Sequence, residues 1–237
     1  MSIKHTAALL CALAASTAWA GPEDTIKAAV ESTLGAGAKV EGVTKTPYLG
    51  LYEVRVGGEI LYTDEKANYL ILGEILDAKT RQNITQARVN QLSAINFAEL
   101  PLDVAIKQVR GNGKRVIATF EDPNCGYCKK LAKELLTLND VTVYTFLTPV
   151  LGPDSQKKSE AIWCAGDRQK AWSDWMTANV APAAATAACD TAGLQKSVAL
   201  GEKYRVRGTP TIFLSNGERI PGYVPVAQLE KRMAGVK

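Results

Sequence analysis

The sequence predicts a two-part α/β protein, with a small helix-plus-antiparallel-sheet unit first and a larger layered α/β unit after it. Three observations lead there. Between residues 22 and 80, one helical stretch is followed by short alternating runs separated by Gly-Gly and Asp-Glu-Lys turns. From Lys114 the pattern becomes strand, helix, strand, then helices, then a closing hairpin at Asn216-Gly217. The 237 residues are 46% hydrophobic and 22% charged, with mean hydropathy near zero, as in ordinary globular chains. That balance excludes a disordered, collagenous or polytopic membrane chain. The formal charge is only +4 and no basic run exceeds two residues, so nucleic acid is not expected as a partner.

Residues 1–20 read as a signal peptide: Lys4 and His5, an apolar run from Ala7 to Ala15, and Ala18-Trp19-Ala20 as a small-x-small cleavage site before Gly21. The expected mature chain is exported and has lost the sequence's single histidine. Ser-His-Asp and Cys-His catalysis and His-containing zinc sites are thereby excluded. Cys125, Cys128, Cys164 and Cys189 remain, an even set that in an exported protein suggests disulfides, with three possible pairings.

Pro22 to Leu34 predicts a helix, with Pro22, Glu23 and Asp24 suited to its first turn and Gly35 to its end. Tyr52, Val54 and Val56 alternate with Glu53 and Arg55 as in a strand with one wet face. Gly57-Gly58 then turns into a second strand at 59–63, and Asp64-Glu65-Lys66 turns into a third at 68–76. A sheet this small leaves its edges open, so residues 21–82 are expected to self-associate. Asn83 with Gln86 resembles a capping box opening a helix that carries Val89, Leu92 and Ile95, interrupted at Pro101; residues 83–105 read as a linker helix. Residues 106–237 form the second domain. Its strands are expected at 116–121 and 141–148, and its helices at 125–138, 155–179 (broken near Gly166) and 194–204. Strands at 211–214 and 219–220 flank the hairpin, and a helix over 226–234 closes the chain.

The chemistry is expected at Cys125-Gly126-Tyr127-Cys128, where a strand gives way to a helix. Two intervening residues let the sulfurs meet on the first helical turn. The first sulfur then faces unsatisfied N–H groups and the positive end of the helix dipole, which stabilise a thiolate. Cys125 is accordingly the attacking sulfur and Cys128, deeper in, the resolving one. Zinc is not expected, because Cys164 and Cys189 are too far apart to complete a site without histidine. No cofactor is expected. Gly208-Thr209-Pro210-Thr211, before the strand at 211–214, looks like the cis-proline loop of the thioredoxin superfamily.

The ordered set Cys-Gly-Tyr-Cys, Ile162-Trp163-Cys164-Ala165, Val180-Ala181-Pro182-Ala183, Cys189-Asp190, Gly208-Thr209-Pro210, Leu214-Ser215-Asn216-Gly217 and Pro221-Gly222-Tyr223 resembles the periplasmic disulfide isomerases of the DsbC/DsbG family over essentially the whole chain after residue 20. The resemblance implies a cystatin-like N-terminal dimerisation domain, a V-shaped homodimer, and a thioredoxin-like catalytic domain with a helical insertion. It implies periplasmic location, misoxidised exported proteins as substrates and the membrane reductase DsbD as electron donor. Gly126, Tyr127, Thr209 and Pro210 would contact substrate, and Cys164 and Cys189 would form a structural disulfide, worth roughly 3.5 kcal/mol by loop entropy. The chain departs from the thioredoxin pattern at Thr119, which stands where a buried acid is usual, six residues before the first cysteine. The proton acceptor for Cys128 is left open among Glu121, Lys129 and water. Glu121 and Asp122 oppose thiolate formation, and Lys129 and Lys130 favour it. The expected activity is disulfide isomerisation and reduction with accessory chaperone action. The alternatives are a DsbG-like reductase of single oxidised cysteines, against which Gly126 argues, and a chaperone-type binding module.

Overall fold

The computed structural model describes residues 21–186 and 188–236, so the expected signal peptide lies outside the described residues. The chain divides into two compact units between Thr85 and Gln86.

In the first unit, α1 (Pro22–Leu34) starts on a proline with Glu23 and Asp24 in its first turn and buries Ile26 and Val30. The sheet is an antiparallel meander of β1 (Val40–Lys45), β2 (Tyr52–Val56), β3 (Glu59–Thr63) and β4 (Leu70–Ile71), in that order. Gly57 and Gly58 both have positive φ, as a tight two-residue hairpin with the right twist demands. Ile26, Val30, Val40, Tyr52, Val54 and Leu61 make the core. Strand β1 escaped the sequence pattern because a register shift between Val40 and Gly42 breaks its alternation. The third expected strand contracts to two residues. β4 is the outer strand, pairing only through Tyr62–Ile71 and Thr63–Leu70, and the chain beyond it leaves Leu72 and Leu76 exposed.

Helix α2 (Ile84–Leu92) stops before Ile95, whose N–H instead donates to Gly217 O at 3.1 Å. Two 3-10 turns follow, and Leu100 and Val104 are buried in the core of the second unit. That unit is a five-stranded sheet in the order β5-β7-β6-β8-β9. Its strands are β5 (Ile106–Arg110), β6 (Arg115–Glu121), β7 (Val141–Leu147), β8 (Thr211–Leu214) and β9 (Arg219–Pro221). Only β6 and β7 run parallel among these pairings.

Apolar layers cover both faces of this sheet. Ile117, Ile212 and Val143 pack with Leu131 and Leu135 of α3 (Gly126–Leu135) and Leu229 of α7 (Val226–Ala234). Phe120 and Phe146, stacked 4.9 Å apart, pack with Ile162 of α4 (Pro153–Trp163), Trp172 of α5 (Arg168–Ala178) and Leu194 of α6 (Ala192–Lys203). The expected break near Gly166 separates α4 from α5. Cys164 and Cys189 are disulfide-bonded, Cα atoms 5.8 Å apart. Among the described residues, no helix is long and apolar enough to cross a membrane.

Candidate active site

Strand β6 lies at the centre of the sheet and ends at Glu121; four residues later the chain turns into α3. Cys125 is the N-cap of that helix, and its Sγ accepts the Cys128 N–H at 3.4 Å. The sulfur is therefore aimed at the orphan donors of a helix start, where negative charge is favoured. Cys125 is 7% exposed, while Cys128 is wholly enclosed. Cys125 Sγ also lies 3.2 Å from Thr209 O, a contact across 84 residues, and the Thr209–Pro210 bond is cis. The Cys128 thiol, the Thr209 side chain and the N–H groups of Cys128 and Tyr127 donate to the Cys125 sulfur and outweigh its desolvation, drawing its pKa down to about 5. Burial, the hydrogen bond to Cys125 and the neighbouring negative charge push Cys128 strongly upward.

The two acids preceding the motif differ in kind. Asp122 is fully buried and satisfied: it accepts from Asn124 N (2.7 Å), Val150 N (2.8 Å), Leu151 N (2.9 Å) and the Ser155 hydroxyl (2.8 Å). It thus pins the approach to Cys125 to the start of α4. Glu121 is also buried, but its pKa is pushed up to about 7, chiefly by desolvation and further by the charge on Cys125, with Thr119 and Thr145 opposing. Trp175 Nε1 donates to Pro123 O at 2.6 Å and holds the same loop from α5. Lys129, expected beside the dithiol, reaches instead to Asn179 Oδ1 (2.6 Å) and lies 3.8 Å from the Trp175 ring.

Of the residues expected at the site, Cys125, Cys128, Thr209 and Pro210 come together, while Gly126 and Tyr127 form its exposed rim. Tyr127 is 64% exposed and stacks on Tyr223 at 5.9 Å. Tyr223 is in turn fixed by its hydroxyl donating to Glu134 Oε1 (2.5 Å) and carries Lys130 4.4 Å from its ring. Cys164 and Cys189 lie in their own bridge, apart from the reactive pair. Sequence reasoning missed Tyr223 and Trp175 as neighbours of the site. Tyr223 stood in a quoted motif and Trp175 among core aromatics, with no local signal tying either to Cys125. Among the described residues, no group of three or more His, Cys, Asp or Glu side chains comes together to hold a metal.

Comparison with known proteins agrees with this geometry. The profile of the disulfide bond isomerase protein N-terminal domain matches residues 15–86, and that of the thioredoxin-like domain matches residues 102–237. The chain is 50% identical over 197 residues to a probable thiol:disulfide interchange protein DsbC of Bordetella parapertussis, covering 83% of this chain and 69% of that one. It is 32% identical over 229 residues to the thiol:disulfide interchange protein DsbC of Escherichia coli, covering 94% and 92%. The chain belongs to the DsbC family. A disulfide interchange protein from Neisseria gonorrhoeae superposes with TM-score 0.53 at 42% identity, over 57% of this chain and 96% of that one. A thiol-disulfide exchange protein of Wolbachia pipientis, at TM-score 0.51 and 15% identity over 66% and 100% of the two chains, shares the fold alone. As a DsbC-family protein the chain is a thiol:disulfide oxidoreductase, with an isomerase-type N-terminal domain joined to a thioredoxin-like domain.

Proposed function

We propose that this protein is a periplasmic disulfide isomerase and reductase that acts on misoxidised exported proteins through Cys125 and Cys128. The observation that supports this most directly is the reduced pair itself: a low-pKa sulfur at a helix N-cap, facing the Thr209 carbonyl, over an enclosed partner thiol. The Cys125 thiolate attacks one sulfur of a substrate disulfide, forming a mixed disulfide and releasing the other sulfur as a thiolate. Thr209 and Pro210 bear on one side of the substrate segment, and Gly126 and Tyr127 on the other. The mixed disulfide is left in two ways. The released substrate thiolate, or another from the same chain, attacks the substrate sulfur, so that a rearranged disulfide forms and Cys125 returns unchanged. Alternatively Cys128 attacks Cys125, closing the enzyme disulfide and leaving the substrate reduced by two electrons; a dithiol donor such as DsbD then restores the enzyme.

The first unit is read as the homodimerisation domain. Among the described residues its outer strand β4 is unpaired on one side, and exposed Ile71 in it is flanked by Tyr69 (75% exposed) and Leu72 (81% exposed), with Leu76 further on. An open edge with that much apolar surface calls for a covering partner, and a second copy supplies an identical edge. Apolar Val150, Leu151 and Val180, also exposed, support accessory binding of unfolded chains. Refolding of scrambled ribonuclease tests the central claim. The wild type should restore activity in the presence of a small amount of thiol, and Cys125→Ser should lose at least about a hundredfold in rate. Equal rescue by the serine variant would refute the mechanism.

A further inference from the structure

The rim of the dithiol is braced more firmly than an exposed surface needs. Tyr127 projects from the first turn of α3 and is 64% exposed, yet its ring stacks on Tyr223 with centroids 5.9 Å apart and planes inclined by 26°. Tyr223 stands just before α7 and follows Gly222, whose φ is +83°. Its hydroxyl donates to Glu134 Oε1 at 2.5 Å, and Glu134 Oε2 accepts the Val226 N–H at 2.9 Å. One carboxylate on α3 thus fastens both the second ring and the first residue of α7. These two bonds also hold the Glu134 carboxyl below the ordinary carboxylate range, so the brace stays charged at neutral pH. The Lys130 ammonium lies 4.4 Å from the centre of the Tyr223 ring.

Tyr127 belongs to none of the apolar clusters of the described residues, so the brace does not serve the core. Fixing an exposed side chain costs rotamer freedom, and a ring fixed in advance meets a ligand without that cost. Tyr223 covers one face of the Tyr127 ring, and the exposure belongs to the rest of it. Tyr127 comes two residues after Cys125. A residue adjoining the reacting cysteine of a substrate has its Cα about 3.8 Å from that of the cysteine, so its side chain is within reach of the ring. We propose that the open part of the Tyr127 ring is a subsite for an aromatic side chain adjoining the substrate's reacting cysteine, with Tyr223 and Glu134 as its positioning residues. The proposal rests on the dithiol chemistry above and deepens it, by giving preference to disulfides flanked by Phe, Tyr or Trp.

The chemistry of the rim favours that class over the others. A substrate ring laid on Tyr127 extends the offset stack already made with Tyr223, and ring pairs gain more than their buried area alone supplies. An aliphatic side chain gains only the area. An arginine or lysine could also lie on a tyrosine face, but here it would approach the Lys130 ammonium, which the Tyr223 ring already holds. Glu134, the carboxylate that would offset that repulsion, is committed to the Tyr223 hydroxyl and the Val226 N–H.

Reduction of three cyclic disulfide peptides by the full-length protein, with dithiothreitol as electron donor and the uncatalysed rate subtracted, tests this. The peptides differ only in carrying Phe, Leu or Gly next to one cysteine. The wild type should favour Phe over Gly about tenfold in kcat/KM, mostly through KM, with Leu between them. Tyr223→Ala should bring the Phe and Gly peptides to within about twofold of each other. Tyr223→Phe, which keeps the ring but frees it from Glu134, should hold an intermediate preference. Glu134→Gln, which can still accept from the Tyr223 hydroxyl, should keep more of the preference than Glu134→Ala. A wild type that treats all three peptides alike overturns the proposal, and so does a Leu peptide equal to the Phe one. A Tyr223→Ala protein that slows every peptide equally and keeps the wild-type preference overturns it too, since that marks a merely structural role. Should that variant not fold, Tyr127→Ala gives the same reading, its side chain being exposed. A wild type that forms no mixed disulfide with any peptide overturns the underlying dithiol chemistry as well, so the two failures are told apart.

Discussion

Cys125 is the residue whose environment departs furthest from that of a free thiol in a useful direction. With its pKa near 5, alkylation by iodoacetamide should be nearly pH-independent from 6 to 8 and fall away only as pH drops through about 5. An ordinary thiol would lose reactivity below its pKa of about 8.5. The same shift bears on stability. A depressed pKa stabilises the fold fully above the unfolded value and loses that contribution as pH falls through the folded one. The reduced protein should therefore gain on the oxidised protein from pH 5 to 8 in urea midpoints. Glu121 has the opposite sign, because its folded pKa of about 7 exceeds the unfolded value. Its contribution is kept below pH 4.5 and lost as pH rises through 7. In the oxidised enzyme, where Cys125 carries no charge, desolvation alone still holds the Glu121 carboxyl above its ordinary value; stability should decline as pH rises above 4.5, and Glu121→Gln should remove the slope. At this scale the sequence showed both cysteines and the Thr209-Pro210 pair, since each announces itself within four residues. It left the proton acceptor for Cys128 open among Glu121, Lys129 and water. The contacts that hold Lys129, to Asn179 and Trp175, come from some fifty residues away and leave no local signal.

The elements around the site are held by few, specific ties. The Cys164–Cys189 bridge joins the end of α4 to the approach of α6, and Trp163 Nε1 donates to Asp190 O at 3.0 Å beside it. Replacing both cysteines by alanine should cost about 2–4 kcal/mol in urea unfolding while leaving Cys125 as reactive to iodoacetamide as before. Gly193 explains why this corner tolerates no bulk: a Cβ there would meet the Trp163 ring at 2.2 Å. Gly193→Ala should destabilise by about 1–3 kcal/mol, read as a lower melting temperature. Periodicity alone revealed most helices, because α1, α3, α6 and α7 each keep one apolar stripe and a recognisable start or stop. It missed β1, where the register shift hides the alternation, and β5, whose Ile106-Lys107-Gln108-Val109-Arg110 shows only two apolar positions. It extended the strand at 68–76 too far, because Leu72 and Leu76 look like core but are exposed, and only Leu70 and Ile71 pair with β3. Ile95 was assigned to a helix for the same kind of reason. Its backbone is taken by Gly217, whose φ of +86° and lack of a Cβ let the hairpin turn approach to where a side chain would strike Ile95 O.

For the whole molecule, the exposed residues beside β4 are the ones to test. Leu72→Glu puts a charge on a side chain that is 81% exposed, so folding of the unit should change by no more than about 0.5 kcal/mol. In sedimentation velocity the wild type should run as a dimer and the variant should shift toward monomer. An unchanged sedimentation coefficient would show that another surface joins the copies. The two-unit organisation was legible because the period of the sequence changes between the units. The boundary was less so: Leu100 and Val104, placed by composition in a connector, are interior residues of the second unit.

The four cysteines that remain after residue 20 form one permanent bridge and one reactive pair, and these are the same four sulfurs that can pair in three ways while the chain is still folding. On the proposed mechanism, a copy that closes the wrong pair presents the kind of bond that a correctly folded copy would attack. Each finished molecule would then proofread the next, and maturation of a reoxidising population should quicken as native protein accumulates, with a lag that seeding abolishes.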